Sequence, residues 1–164
     1  MTFYWRNARW LLLSVVVFVL DQWTKNLVVA HFSYREILPV FAAGEHAGFN
    51  LVLAHNYGAA FSSLANQPGW QRWFFAGIAL AVSVGLTVWL LRLPMQNRWL
   101  LVSLSLLVGG AVGNLYDRAL LGYVVDFLDF WYAGYHWPAF NVADSAICVG
   151  AAVLLLEQWL GGSK

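Results

Sequence analysis

"WLLVSLSLLVGGAVGNLYDR", residues 99–118, is the stretch that decides the fold. From Trp99 to Tyr116 it contains no Lys, Arg, Asp or Glu. A helix needs ~20 mostly apolar residues to cross a bilayer, so this run is long and greasy enough to span one. Gly109 and Gly113 form a small-xxx-small pair, the pattern of a close helix-packing face. Gly110, Asn114 and Asp117 recur at i, i+4 and i+7 and share one face, and Arg118 lies four residues past Asn114. A packed helix anchored by Asp117 and Arg118 at the membrane boundary explains the glycines. It does not explain Asn114, which lies almost a full turn inside the end.

Three more segments of the same kind flank this one. They run from Trp10 to about Ala30, from Trp73 to Leu91, and from about Phe140 to Leu160. The first carries Asp21 and Lys25 after an apolar run, with no small-residue cleavage site, and reads as an uncleaved anchor. Composition agrees with a lipid solvent: 61% of residues are hydrophobic and 10% are charged, against ~25% charged in soluble domains. A soluble domain of this size has too little interior to hide so much apolar surface. The expected fold is an all-α membrane protein, a single domain over residues 1–164. It is a four-transmembrane-helix bundle with a small extracytoplasmic β-sheet between helices 1 and 2. That sheet is expected because "FNLVLAHN", 49–56, is strand-like and "AAGEHAG" before it is rich in turn residues.

Lys and Arg counts in short flanks set the orientation. Arg6, Arg9, Arg92, Arg98 and Lys164 fall on one side, and Arg35, Arg72 and Arg118 on or near the other. Both termini are therefore expected in the cytoplasm, with residues ~31 to ~70 and ~118 to ~139 outside. A net charge of +1 gives no bulk attraction to nucleic acid. The single cysteine, Cys148, excludes an intramolecular disulfide and a thiolate zinc cluster. His31, His46, His55 and His136 show no metal-ligand spacing and read as surface residues, so no metal and no cofactor are expected.

The chemistry then falls to the carboxylates. "VVDFLDFWYAGYHWPAFNVADS", 124–145, holds Asp126, Asp129 and Asp144 with no Lys or Arg among them. Asp126 is flanked by valines, Phe127 and Leu128, at the lipid boundary. Asp144 lies in the first turns of the fourth span, where Asn141 is the better N-cap, so Asp144 needs a partner from elsewhere. Asp129 reads as a solvated bystander. A turn through the intervening aromatics can bring Asp126 and Asp144 together. Two close carboxyls share a proton, and one then activates water while the other protonates the substrate. An adjacent Lys or Arg would favour two charged carboxylates, which suits the absence of a cation from this stretch.

Five stretches in order, "DQWTK" (21–25), "NYGAAFS" (56–62), "GGAVGNLYDR" (109–118), "VVDF" (124–127) and "FNVADS" (140–145), make the chain resemble bacterial signal peptidase II. The resemblance runs through nearly the whole chain. It implies an aspartyl endopeptidase of the bacterial inner membrane that cuts diacylglyceryl-modified prolipoproteins just before the lipidated cysteine. Asp126 and Asp144 would be its catalytic dyad, near the periplasmic face. Asp21, Asn56, Asn114, Asp117, Arg118 and Asn141 would support the site or hold substrate, and the outer sheet would be a cradle for the substrate. The partners implied are the prolipoprotein and membrane lipid, with the enzyme a monomer. The competing reading is a small proton-coupled transporter or channel component, with Asp21, Asp117 and Asp144 as its relay.

Overall fold

The computed structural model describes residues 3–58, 69–94 and 97–161. The "AAFS" part of the second motif and Lys164 lie outside the described residues. Four long helices dominate: α1 (Leu11–His31), α2 (Trp70–Arg92), α3 (Arg98–Leu120) and α4 (Val142–Gly161). All four are long and apolar enough to cross a membrane. A short 3-10 turn, Trp5–Trp10, leads into α1, and Asn7 within it donates to Leu90 O and Leu93 O at the end of α2.

The helix of the opening stretch, α3, is the centre of the bundle and packs against α1, α2 and α4. Leu101, Leu104 and Val108 are buried along it, whereas α1 turns Leu12, Val15, Val16, Val19 and Trp23 outward. In a bilayer that outward face meets acyl chains. Lipid gives apolar side chains no reason to leave it, so helix association relies on close backbone approach and buried hydrogen bonds. The glycines supply the approach. A methyl group at Gly109 would stand 2.8 Å from Ser14 O of α1, and one at Gly113 would stand 2.7 Å from Asp21 Oδ2 and 3.2 Å from Ala143 Cβ of α4. Hydroxyls supply the bonds: Ser14 Oγ donates to Ser105 O, and Ser103 Oγ to Gly150 O, both at 2.7 Å.

An antiparallel sheet of order β1-β2-β3-β4 caps one end of the bundle. Its strands are β1 (Ile37–Ala43), β2 (Ala47–Asn56), β3 (Val124–Tyr132) and β4 (Tyr135–His136). The sequence placed the whole sheet between helices 1 and 2. Only β1 and β2 lie there, while β3 and β4 come from the segment between α3 and α4. The stretch "VVDFLDFWY" hid its strand because both faces are covered at its start, so alternation is lost. The β3–β4 turn is Ala133–Gly134, both at positive φ, the pattern of a tight hairpin.

One irregularity in this sheet matters for the site. Leu51 pairs with Leu128, but Ala54 pairs with Asp126, so β2 carries an extra residue between them. Directly paired residues share a face, and a one-residue slip swaps the faces. Without the bulge His55 would sit opposite Val124, on the Asp126 face. With it, Asn56 takes that place. The other face of this region buries Leu53, Val125 and Phe127 against Val28 of α1.

Candidate active site

The site forms where the start of β3, the first turn of α4 and the last turns of α3 converge on the second half of α1. Helix α4 starts with a reciprocal cap. Asn141 Oδ1 accepts the Asp144 N–H at 2.9 Å, and Asp144 Oδ2 accepts the Asn141 N–H at 3.3 Å. This capping box satisfies donors that a helix N-terminus leaves free. A third donor, the Ala143 N–H, goes to Asp21 Oδ1 of α1 at 2.9 Å. Asp21 thus caps α4 across the helix interface, and the Gly113 gap lets it reach.

Asn141 also joins the two aspartates. Its Nδ2 donates to Asp126 Oδ1 at 2.7 Å and to Asn114 Oδ1 at 3.2 Å, while Asn114 Nδ2 donates to Asp144 Oδ1 at 2.7 Å. The second oxygen of Asp126 accepts from Asn56 Nδ2 at 3.1 Å. Asn56 Oδ1 in turn accepts the Gly58 N–H at 3.1 Å. Each carboxylate is thus held by carboxamides. Asp126 is 2% exposed, and Asp144 is only half-buried. Burial, then the nearby Asp144 charge, push Asp126 up to about 7, against the pull of the Asn56 and Asn141 donors and of Lys25.

Two cations stand behind this cage. Lys25 is buried between Asp21 Oδ2 at 2.7 Å and Asp117 Oδ2 at 2.9 Å, and it donates to Asn114 Oδ1 at 3.3 Å. Asp117 Oδ2 also accepts the Val125 N–H at 3.1 Å, fixing the backbone just ahead of Asp126. Arg118 donates to Gly58 O at 3.0 Å and to Asn114 O at 3.3 Å, and its charge interacts with Asp144, Asp126 and Asp117. The 124–145 stretch therefore lacks a cation only in sequence: α1 and α3 bring two.

Residues 13–160 match a family model described as Signal peptidase (SPase) II. The chain belongs to the signal peptidase II family. It is 47% identical over 156 residues to a lipoprotein signal peptidase of Vibrio parahaemolyticus, covering 92% of this chain and 88% of that one. It is 50% identical over 154 residues to one from Yersinia pestis, covering 94% and 88%. A solved structure titled as a bacterial membrane enzyme determined by the in meso method superposes with a TM-score of 0.82. The sequences there are 29% identical over 95% of this chain and 90% of the other.

The eight residues singled out by sequence, Asp21, Asn56, Asn114, Asp117, Arg118, Asp126, Asn141 and Asp144, fall in one connected network. Lys25 joins the same network, and nothing in the sequence places Asp117 and Asn114 beside it. Asp129 is not the solvated carboxylate expected from its loop-like setting. It is buried, accepts from Asn50 Nδ2 at 2.7 Å, and has His136 Nδ1 2.9 Å from both its oxygens. His136 is at the surface, as expected, with Asp129 as its partner. The correction follows from β3 lying between β2 and β4, which puts Asp129 opposite Asn50. Cys148 is free and exposed.

Proposed function

We propose that this chain is a membrane-embedded aspartyl endopeptidase that removes the signal peptide from diacylglyceryl-modified prolipoproteins, cutting just before the lipidated cysteine. The observation that carries this reading is the pair Asp126 and Asp144 held on either side of Asn141. Family membership and the lipoprotein signal peptidase relatives support the substrate class. The single peptidase domain would sit as a monomer in the bacterial inner membrane, both termini cytoplasmic and the dyad near the periplasmic face. The sheet would cradle the substrate, and the outward faces of α1, α2 and α4 would meet lipid. Asp21, Asp117 and Asp144 meet around Lys25 and Asn114, which supports a compact site over the expected alternative of a transporter relay.

The environments divide the labour. Asp126, buried and raised to about 7, holds a proton near neutral pH. Asp144, half-buried at a helix N-terminus and facing N–H donors, is the carboxylate base. Asp144 takes a proton from water as its oxygen attacks the carbonyl carbon before the lipidated cysteine. Asp126 gives its proton to the carbonyl oxygen, leaving a neutral gem-diol. The proton on Asp144 then passes to the departing nitrogen. As the C–N bond breaks, one hydroxyl returns its proton to Asp126 and the carboxyl product forms. Both aspartates end as they began.

The test is cleavage of a diacylglyceryl-prolipoprotein by purified Asp126→Asn and Asp144→Asn variants in lipid. Each is expected to lose at least about a thousandfold in kcat, the size of a lost general acid or base, while still inserting. Full activity in either inserted variant would sink the dyad assignment.

A further inference from the structure

The carboxamides around the dyad raise a question of polarity. A side-chain amide has a donor end and an acceptor end, and it can turn over. Asn114 offers Nδ2 to Asp144 and Oδ1 to Lys25 and Asn141. Turned over, it would press its oxygen against the Asp144 carboxylate. Asn141 cannot fix this choice alone, because it is itself a carboxamide. Lys25 can, because an ammonium has donors only. Its three donors have three acceptors: Asp21 Oδ2, Asp117 Oδ2 and Asn114 Oδ1. It is 3% exposed, so it has no water to turn to. The Gly109 and Gly113 contacts hold α1 against α3 and keep it there.

Resting on the peptidase reading, we propose that Lys25 is a positioning residue for the reaction. Its ammonium locks the Asn114 carboxamide in the orientation that presents N–H to Asp144, and so keeps Asp144 available as the ionised base. Lys25 touches neither aspartate of the dyad through a hydrogen bond; it acts through Asn114. The other charged groups facing Asp144 are Asp21 from α1, Asp117 and Arg118 from α3, and Asp126 from β3. Neither Arg118 nor any of the three further carboxylates hydrogen-bonds to the Asn114 side chain, so none can replace Lys25 in setting its polarity.

The experiment is the pH dependence of kcat and KM on a diacylglyceryl-prolipoprotein, with thermal stability measured alongside. Lys25→Gln puts an amide, which has both a donor and an acceptor, where the ammonium was. It is expected to lower kcat roughly tenfold, leave KM within about twofold, and move the acidic limb of the kcat profile up by about one pH unit, the cost of one weakened charge-assisted bond. Lys25→Arg keeps a donor-only group and is expected to leave that limb in place even if kcat falls. In an Asn114→Ala background, Lys25→Gln is expected to move the limb no further, since the residue it acts through is gone. An unmoved limb in folded Lys25→Gln, a limb moved equally by Lys25→Arg, or an equal further move in the Asn114→Ala background each overturns the proposal. A wild-type chain that cleaves nothing refutes the peptidase reading instead, so the two failures are distinct.

Discussion

The substitution Asp126→Asn should change how stability depends on pH, and in a direction opposite to most active-site lesions. Asp126 is raised from 3.8 to about 7 in the folded protein, first by burial and then by Asp144. A raised carboxyl helps the fold fully only below its unfolded value, and that help is lost as pH climbs through the folded value. Proton linkage between those two values gives a loss of ~1.7 kcal/mol by pH 5 and ~4 kcal/mol by pH 8. Asparagine does not titrate, so the variant escapes this loss. It pays a fixed penalty, because its amide nitrogen must face one of the two carboxamide donors, Asn56 or Asn141, at a cost of ~1–3 kcal/mol. The penalty is the same at every pH. The gap between variant and wild type should therefore widen in favour of the variant by ~2.5 kcal/mol between pH 5 and pH 8. On the usual scale for a chain of this length that is roughly 5–10 °C in Tm. Thermal scans of both proteins in one detergent, at half-unit steps from pH 5 to 8, measure it. A Tm difference that stays flat across the range would refute the argument, whatever its absolute size, because it would mean that Asp126 is ionised in the folded state throughout.

Two further outcomes test the packing and the thiol. Gly113→Ala should destabilise the protein by ~1–3 kcal/mol, because its methyl meets Asp21 Oδ2 and Ala143, whereas Gly85→Ala, with nothing within 4 Å, should be neutral or stabilise by ~0.5–1 kcal/mol; parallel thermal scans check both. Cys148→Ala should retain the wild-type cleavage rate, because the thiol is exposed and has no part in the dyad network; a folded variant without activity would point to a thiol mechanism.

The spans and the residues of the polar cluster were legible because membrane physics writes them plainly. A polar side chain in an apolar run must have a partner, so Asp21, Asn114 and Asp144 each announced themselves before any contact was known. The sheet was legible only in part. In β2 the run "FNLVLAHN" has strand composition, but β3 begins with both faces covered, and its partner lies some seventy positions away, as the pairing of Asn56 with Val124 illustrates. No local pattern carries that information. The bulge in β2 is equally silent in the sequence, although it decides that Asn56 and not His55 faces Asp126. Asp129 was misread for the same reason, because its burial and its Asn50 and His136 partners are created by the pairing of β3 with both of its neighbours.

The placement of Lys25 resolves a conflict between two demands on the site. Five charged side chains, Asp21, Asp117, Asp126, Asp144 and Lys25, gather with Arg118 in a small volume, and four carboxylates without cations would repel one another. A cation directly against the dyad would be worse for catalysis. At ~4 Å and an effective dielectric constant of ~20, a unit charge is worth ~4 kcal/mol, or about three pH units of a neighbour's titration. That equals the whole rise of Asp126 from 3.8 to about 7, so such a contact would leave no acid to protonate the substrate. The structure instead engages Lys25 with the two carboxylates outside the dyad, Asp21 and Asp117, and lets it reach Asp144 only through the carboxamide of Asn114. Among the pulls on Asp126 its charge ranks last, behind the Asn56 and Asn141 donors. A neutral asparagine cage with a cation behind it thus neutralises the surroundings while leaving the Asp126 and Asp144 carboxyls different from each other, which is the condition the proposed mechanism needs for one to act as acid and the other as base.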